Sequence, residues 1–545
     1  MNKHTLKVVV FICLFAVPFM PFLVSGSLFF PFITTKAFAF RAAVEVAFAA
    51  WLVLAALDLE YRPKKSWMLW ALLAFTAVVL VADLAGVAPT KSLWSNFERM
   101  EGFITIAHLL ALFLIMASVF READWKRWWN ASLVASFLMV LYCSLQLLGV
   151  KQINQGGVRV DGTFGNAIYL AVYMLFHIFV ALFYLSREWR RRGMRWMYGI
   201  SMISNAIILY FTATRGTMLG LAGGLVIFAL FNIRNRENAW ARKASVGLLA
   251  GLVILGGGLV AIRNASFVQQ SPVLSRFANL SLSELQSQGR YYIWPMAWQG
   301  IKERPILGWG QENFNYVFQE HYRPEMYNLE PWFDRAHNVF LDWAIAGGLL
   351  ALLLYLSLYA IALDMIWRRA NLAYLEKTIL TALLAAYFFH NLFVFDQLVS
   401  YVFFFSLLAY LQARSATEPA WQGALPYDRI ALAAVPAGAI LLASLYFFTW
   451  KPLVANTSLI QALAAAQSSK PDVAVSSFEK AYRSAALGRP EEVEQIVAYA
   501  PQILSSSLPM DQKNSFYAFA NSAVREQAAK FNNDVRYQLL AGMFT

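Results

Sequence analysis

The chain has 545 residues, of which 59% are hydrophobic and only 14% charged, and its mean hydropathy is +0.50. Soluble domains carry about 25% charged residues, so this composition excludes an ordinary soluble protein and points to an integral membrane protein. The net charge is +13, and the two cysteines, Cys13 and Cys143, both lie in apolar runs, which leaves no disulfide framework and no Cys/His metal spacing.

The elements, in chain order, are mostly bilayer-length apolar runs of ~17–25 residues. Thirteen are predicted, at about 7–25, 38–57, 67–87, 102–120, 129–149, 167–186, 196–213, 216–232, 245–262, 338–363, 378–395, 398–412 and 430–449. The basic start from Met1 to Lys7 resembles a signal peptide but lacks a small-residue cleavage site, so it reads as a retained first span. Arg41 and Glu45 share a helix face at i, i+4 and are expected to fix packing as an intramembrane ion pair. The expected fold is an all-α polytopic membrane protein with about 12–13 transmembrane helices.

Basic residues orient the map. With the N-terminus in the cytoplasm, Arg62-Pro63-Lys64-Lys65, Arg187 through Arg195, Arg234 through Lys243 and Arg368-Arg369 all fall inside, while the short outer turns hold few cations. The positive-inside rule supports this orientation, and it accounts for the basic balance without any nucleic acid. It predicts four segments: 1–262 with nine spans, a long extracytoplasmic loop at 263–337, the remaining spans at 338–450, and a helical region at 451–545.

In that last region Ala474, Phe478 and Ala481 have the spacing of a tetratricopeptide second helix, a pattern that any amphipathic helix also supplies. The final stretch reads as a repeat helix without its partner. That leaves two alternatives open, a truncated chain or a cap from another protein bound through this region.

Four outward-facing constellations carry chemistry: Arg159 to Asn166, Thr212-Ala213-Thr214-Arg215-Gly216, Gly289-Arg290 with Trp294, and Arg335-Ala336-His337-Asn338. Arg215 is flanked by apolar residues on both sides. A cation at bilayer depth costs ~2.5–3.5 kcal/mol, so it is expected to face a cavity or an anion; a snorkelling side chain is the alternative. Several arginines on one side suit a pyrophosphate, whose oxygens match guanidinium forks.

His337 is the side-chain type best suited to proton transfer near neutral pH, with Asn338 able to orient a neighbour; an interfacial histidine bonded to backbone is the alternative. His108, His177 and the His390-Asn391 pair read as buried hydrogen-bonded groups, and His321 as a second, more exposed candidate. Gly308-Trp309-Gly310 does not open a dinucleotide-binding helix. No Walker loop, nucleophile elbow or metal motif is present.

"GRYYIWPMAWQGIKERPILGWGQENF" followed by "RAHNVFLDWAIAGGLLALLLY" resembles the O-antigen ligase and polymerase family of membrane glycosyltransferases. "RVDGTFGNAIYLAVYM" and "TATRGTMLGLAGG" are similar to upstream segments of the same family, in the same order, so the likeness covers about residues 90–412. The resemblance implies a donor glycan on a polyprenyl pyrophosphate, an acceptor hydroxyl on a lipid, glycan or protein, and an active site facing outward from a bacterial plasma membrane. It implies neither cofactor nor metal.

By position, the resemblance makes Arg215 and Arg290 pyrophosphate binders and His337 the base, with Arg159 a looser match. Arg335, Trp294 and Asn338 complete the predicted substrate-binding set. Ligase, polymerase and protein O-oligosaccharyltransferase differ only in acceptor and are not separated. A lipid-linked glycan transporter would share the arginines, but should show inverted repeats, and none is visible.

Overall fold

The computed structural model describes residues 2–236, 238–278, 289–329, 332–484 and 488–544. Residues 279–288 and 330–331 of the expected long loop lie outside this set. The chain is 76% helical, with no strand among the described residues.

Each of the thirteen predicted runs coincides with a helix to within a few residues, and three of these helices fall short of the length or apolarity of the rest. Among the described residues, ten helices are long and apolar enough to cross a membrane. Phe103–Val119 is apolar but shorter, while Arg192–Phe211 and Tyr374–Asn391 carry too much polarity for that class. Arg192 and Arg195 give the first its polar end, and Glu376 and Lys377 the second.

Two contacts in the bundle position the site. Helix Arg215–Ile233 lies against Tyr374–Asn391, and the small residues Gly220 and Gly224 make this possible. A Cβ on either would come within 2.7 or 2.8 Å of the carbonyl oxygens of Ala386 and Ala382. Close backbone approach through small residues is how membrane helices associate where lipid supplies no hydrophobic drive. The contact sets the Thr214–Arg215 turn beside the end of the neighbouring helix, where Thr217 Oγ1 and His390 Nδ1 are 2.7 Å apart.

The second contact is a break. Helix Val339–Asp364 departs from helical geometry at Gly347 and Gly348, the latter at φ +66. The Gly308-Trp309-Gly310 turn fills the break: Trp309 N donates to Ile345 O at 2.7 Å and Gly310 N to Ala346 O at 2.9 Å. In return Leu349 N donates to Pro305 O at 2.8 Å. A broken helix at membrane depth needs partners for its freed carbonyls, and here the loop supplies them. The two glycine motifs are therefore halves of one joint.

The Arg41–Glu45 pair expected from spacing is replaced by other partners. Arg41 stacks on Trp94 at 4.6 Å and donates to Met100 O and Thr105 Oγ1, each at 3.0 Å. Glu45 instead meets His108 Nε2 at 3.1 Å and accepts from Ser444 Oγ at 2.6 Å. The structural role stands, but it joins four segments instead of bracing one helix face.

No linker separates the membrane bundle from the C-terminal region. Helix runs continuously over Tyr427–Gln467, across the boundary expected near 450. Helices Pro471–Ser484, Arg489–Leu504, Met510–Lys530 and Val535–Gly542 then pack on its end. Ala474, Phe478 and Ala481 are fully buried there with Leu459, Val493 and Phe516. The last helix packs on Met510–Lys530, and Asp534, which caps it, accepts from Asn315 Nδ2 at 2.9 Å. The C-terminal helices thus rest on the long loop, on the same face of the bundle.

Candidate active site

His337 occupies the last turn before helix Val339–Asp364. Asn338 caps that helix, its Oδ1 accepting from Phe340 N at 3.0 Å and Leu341 N at 3.2 Å. The cap holds the preceding residue at the helix mouth with φ +56, a left-handed conformation that few non-glycine residues adopt. Trp294 Nε1 donates to Ala336 O at 3.1 Å, and Ala336 N donates to Asp342 Oδ1 at 2.7 Å, so both sides of the peptide are tied.

The His337 ring lies edge-on to Phe333 and to Phe395, with centroids 5.5 and 5.1 Å away. Its Nδ1 is 3.1 Å from Arg335 O. A carbonyl can only accept, so Nδ1 carries the proton and Nε2 is left with a lone pair. Burial pushes the imidazole down to about 4, the backbone bond to Arg335 works against that, and the positive charge of Arg290 adds to it. The ring is neutral at physiological pH.

Arginines gather on one side. Arg159 donates from Nε to Thr212 O at 3.0 Å and from Nη2 to Thr214 Oγ1 at 3.2 Å, on the turn that carries Arg215. Arg215 donates to Arg276 O at 2.9 Å. Burial lowers the Arg159 guanidinium to about 10, with the charges of Arg276 and Arg215 adding to the effect. Burial also lowers Arg290, and Arg215 again contributes. Mutual repulsion of this kind marks four cations sharing one space, a setting that favours an anion. Arg159, Arg215 and Arg290 were legible as separate candidates. Arg276 was missed because it lies in an unremarkable "LSRFANL" stretch.

On the other side the charges are paired. Arg99 holds Asp334 through Nε–Oδ2 at 2.9 Å and Nη2–Oδ1 at 3.1 Å. Burial opposes charge on Asp334, but Arg99 outweighs it and holds the carboxyl below the usual range. Arg335, expected to bind substrate, donates instead to Glu101 Oε2 at 3.0 Å and to Glu312 Oε1. Burial disfavours its charge, and the two carboxylates more than restore it. Phe395 joins the halves: Arg99 lies 4.6 Å and Arg335 5.9 Å from the ring that also supports His337.

Backbone strain concentrates in this region. Seven non-glycine residues have positive φ among the described residues, and six of them are Phe30, Ser95, Met100, Ala213, Glu312 and His337. Ala213 and His337 lie on the turns that carry Arg215 and the His337 helix mouth, and Glu312 holds Arg335; such conformations persist where surrounding structure over-determines them. The other candidates are structural. His177 sits 2.6 Å from Ser132 Oγ, Asn391 donates to Asp396 Oδ2 at 3.1 Å, and His321 Nε2 lies 2.8 Å from Glu303. Among the described residues no group of three or more His, Cys, Asp or Glu could hold a metal ion.

An all-α polytopic membrane protein, with a clustered set of arginines beside a neutral histidine at one end of its bundle, is the class these features define. Residues 200–356 match the family model described as O-antigen ligase, and this stretch supports a relation to that family. The matched stretch contains Arg215, Arg276, Arg290, Trp294 and His337, and it ends just past the Gly347-Gly348 break. Members of this family are enzymes, ligases or polymerases, which supports an O-antigen ligase-like or related polymerase function here. No curated protein matched the chain.

Proposed function

We propose that the protein transfers a glycan from a polyprenyl pyrophosphate carrier to an acceptor hydroxyl on the outer face of the plasma membrane. The observation that carries this reading is the position of His337, with an unprotonated Nε2, beside the Arg159–Arg215–Arg276–Arg290 cluster. The acceptor oxygen forms a bond to the anomeric carbon as the bond from that carbon to the pyrophosphate oxygen breaks. The hydroxyl proton passes to His337 Nε2. The leaving pyrophosphate gains negative charge, which the guanidinium cluster stabilises in a site shielded from water. Direct displacement inverts the anomeric centre.

Anion binding also improves the base. The arginine charges depress the imidazole, and a pyrophosphate between them and the ring offsets that effect, so His337 becomes more basic when donor is bound. Arg99, Asp334 and Arg335 act as positioning residues, bracing the ring through Phe395 and the loop through ion pairs. The outward orientation rests on the distribution of basic residues and is part of the proposal.

The test is transfer by the purified full chain in lipid nanodiscs, supplied with a polyprenyl pyrophosphate glycan and an extract of envelope acceptors. Release of polyprenyl pyrophosphate with formation of a new glycosidic bond, identified by mass spectrometry, is expected. Movement of intact donor across the bilayer without any new bond would replace this reading with transport.

A further inference from the structure

At the end of the bundle opposite His337 lies a cavity of about 820 Å³ that the mechanism above does not use. Leu375 and Ile379 line it from the start of helix Tyr374–Asn391, whose other end carries His390 to the Arg215 turn. The other walls come from the end of helix Ala167–Arg187, the Glu188–Arg191 connection, Phe228 and the start of helix Ala239–Ala261. Ligand pockets run about 300–1,000 Å³, so the space admits one elongated small molecule.

The cavity exists because helix Ala239–Ala261 packs on Arg215–Ile233 and stands almost clear of the rest of the bundle, with 6% of its apolar window buried. Trp189 on the connection and Trp240 on the helix meet with ring centroids 5.1 Å apart, which props the helix away from Ala167–Arg187. Ala241 and Ala244 face the gap and are too small to fill it.

The two ends of the space differ in chemistry. Along the helices the walls are apolar, from Leu182, Leu185, Phe228, Leu248 and Ile379. At the mouth are three arginines and one glutamate. Arg187 is already engaged, by Glu376 at 2.6 Å and Glu122 at 2.9 Å, and Glu188 is held by Lys126. That leaves Arg190 and Arg191 as net positive charge. The Arg190 guanidinium makes no hydrogen bond or ion pair among the described residues, and Arg191 comes no closer to Glu188 than 3.3 Å. Arg195, 5.3 Å over the Trp189 ring, adds a further cation.

An apolar trough under a cationic mouth flanked by tryptophan matches a phosphate joined to acyl chains. Guanidinium forks fit phosphate oxygens, tryptophan rings sit at the headgroup level, and basic pockets between membrane helices hold anionic head groups. A free phosphate would leave the trough empty, and a lipid without net charge would leave the arginines unbalanced. We propose that this cavity seats one anionic phospholipid, with its phosphate on Arg190 and Arg191 and an acyl chain between helices Ala167–Arg187 and Ala239–Ala261. The lipid braces the second of these helices, which leads into the segment that carries Arg276.

The test is native mass spectrometry of the full chain, delipidated in detergent, with phosphatidylglycerol and phosphatidylcholine of the same acyl chains as probes. Phosphatidylglycerol should bind in preference, one molecule per chain, and raise the melting temperature. Arg190→Gln with Arg191→Gln removes the charge, and Ala244→Trp fills the trough; each change should weaken binding about tenfold and remove the thermal shift. Arg368→Gln with Arg369→Gln, an equal loss of charge at the same end but outside the cavity, should leave both unchanged.

Equal binding of the two lipids, equal weakening in the Arg368 and Arg369 variant, or full binding in Ala244→Trp would overturn the assignment. So would displacement by an equimolar competitor: by inorganic phosphate, which would reduce the site to a phosphate site, or by polyprenyl phosphate, which would make its occupant an isoprenoid carrier.

Discussion

Arg99 and Asp334 form a two-pronged pair, 2.9 Å from Nε to Oδ2 and 3.1 Å from Nη2 to Oδ1, that fastens the long loop to the segment before helix Phe103–Val119. Both side chains are largely buried, at 15% and 20% exposure. Breaking such a pair leaves one charge stranded, at a cost of about 3–5 kcal/mol, whereas replacing both partners by apolar side chains is often neutral. Asp334→Ala should therefore lower thermal stability sharply. Arg99→Met with Asp334→Leu should recover much of that stability but not glycan transfer. Melting curves beside a transfer assay separate the two effects, and recovery of both would mean the pair only staples the loop.

Replacing His337 tests the base. Asn tolerates the left-handed backbone at this position better than Ala, so His337→Asn keeps the helix mouth intact. Transfer should fall by about 10²–10⁴-fold, the usual contribution of a positioned base, with donor binding retained. Unaltered turnover would remove the assignment.

The pH profile follows from the same residue. Protonation removes the Nε2 lone pair, so the rate falls as pH falls. In free enzyme His337 is pushed down to about 4, and kcat/KM should hold through pH 6.5 and decline only near that value. Bound pyrophosphate raises the imidazole, which moves the acid limb of kcat to higher pH than that of kcat/KM. Coincident limbs, or the same limb in His337→Asn, would contradict this account.

Arg215 and Arg290 should each contribute to donor affinity. Hydrogen bonds to charged groups are worth about 1.5–3 kcal/mol, so Arg215→Gln and Arg290→Gln should each weaken polyprenyl pyrophosphate binding by roughly 10–100-fold. Arg335→Gln should act differently, reducing folding stability first, because its guanidinium already holds Glu101 and Glu312. Equal donor affinity in the Arg215 and Arg290 variants, measured by calorimetry, would place the anion elsewhere.

Gly308 and Gly348 should resist any side chain. A Cβ on Gly308 would meet Ile345 O at 2.2 Å, and one on Gly348 would meet Ile306 O at 2.1 Å, with φ +66 at both. Gly308→Ala or Gly348→Ala should cost about 2–4 kcal/mol and lower the melting temperature in detergent. Two variants as stable as the parent would show that the joint can open.

The sequence by itself determined the class of the protein. Bilayer-length apolar runs force helices, because no other open structure satisfies its own backbone in lipid, and all thirteen runs are helical. Arg159, Arg215, Arg290 and His337 stood out because cations and histidines are costly beside apolar segments unless something needs them.

Only the tertiary structure decided which of them meet. Arg276 joins the cluster, Arg335 leaves it for two carboxylates, and Asn338 caps a helix; these outcomes turn on contacts between residues far apart in the chain. The same holds for the C-terminal helices. Local spacing placed Phe478 on a buried face, but nothing local could show Glu491 reaching Phe97 or Asp534 reaching Asn315. Periodicity reports which face of a helix is buried. It carries no information on what lies against that face.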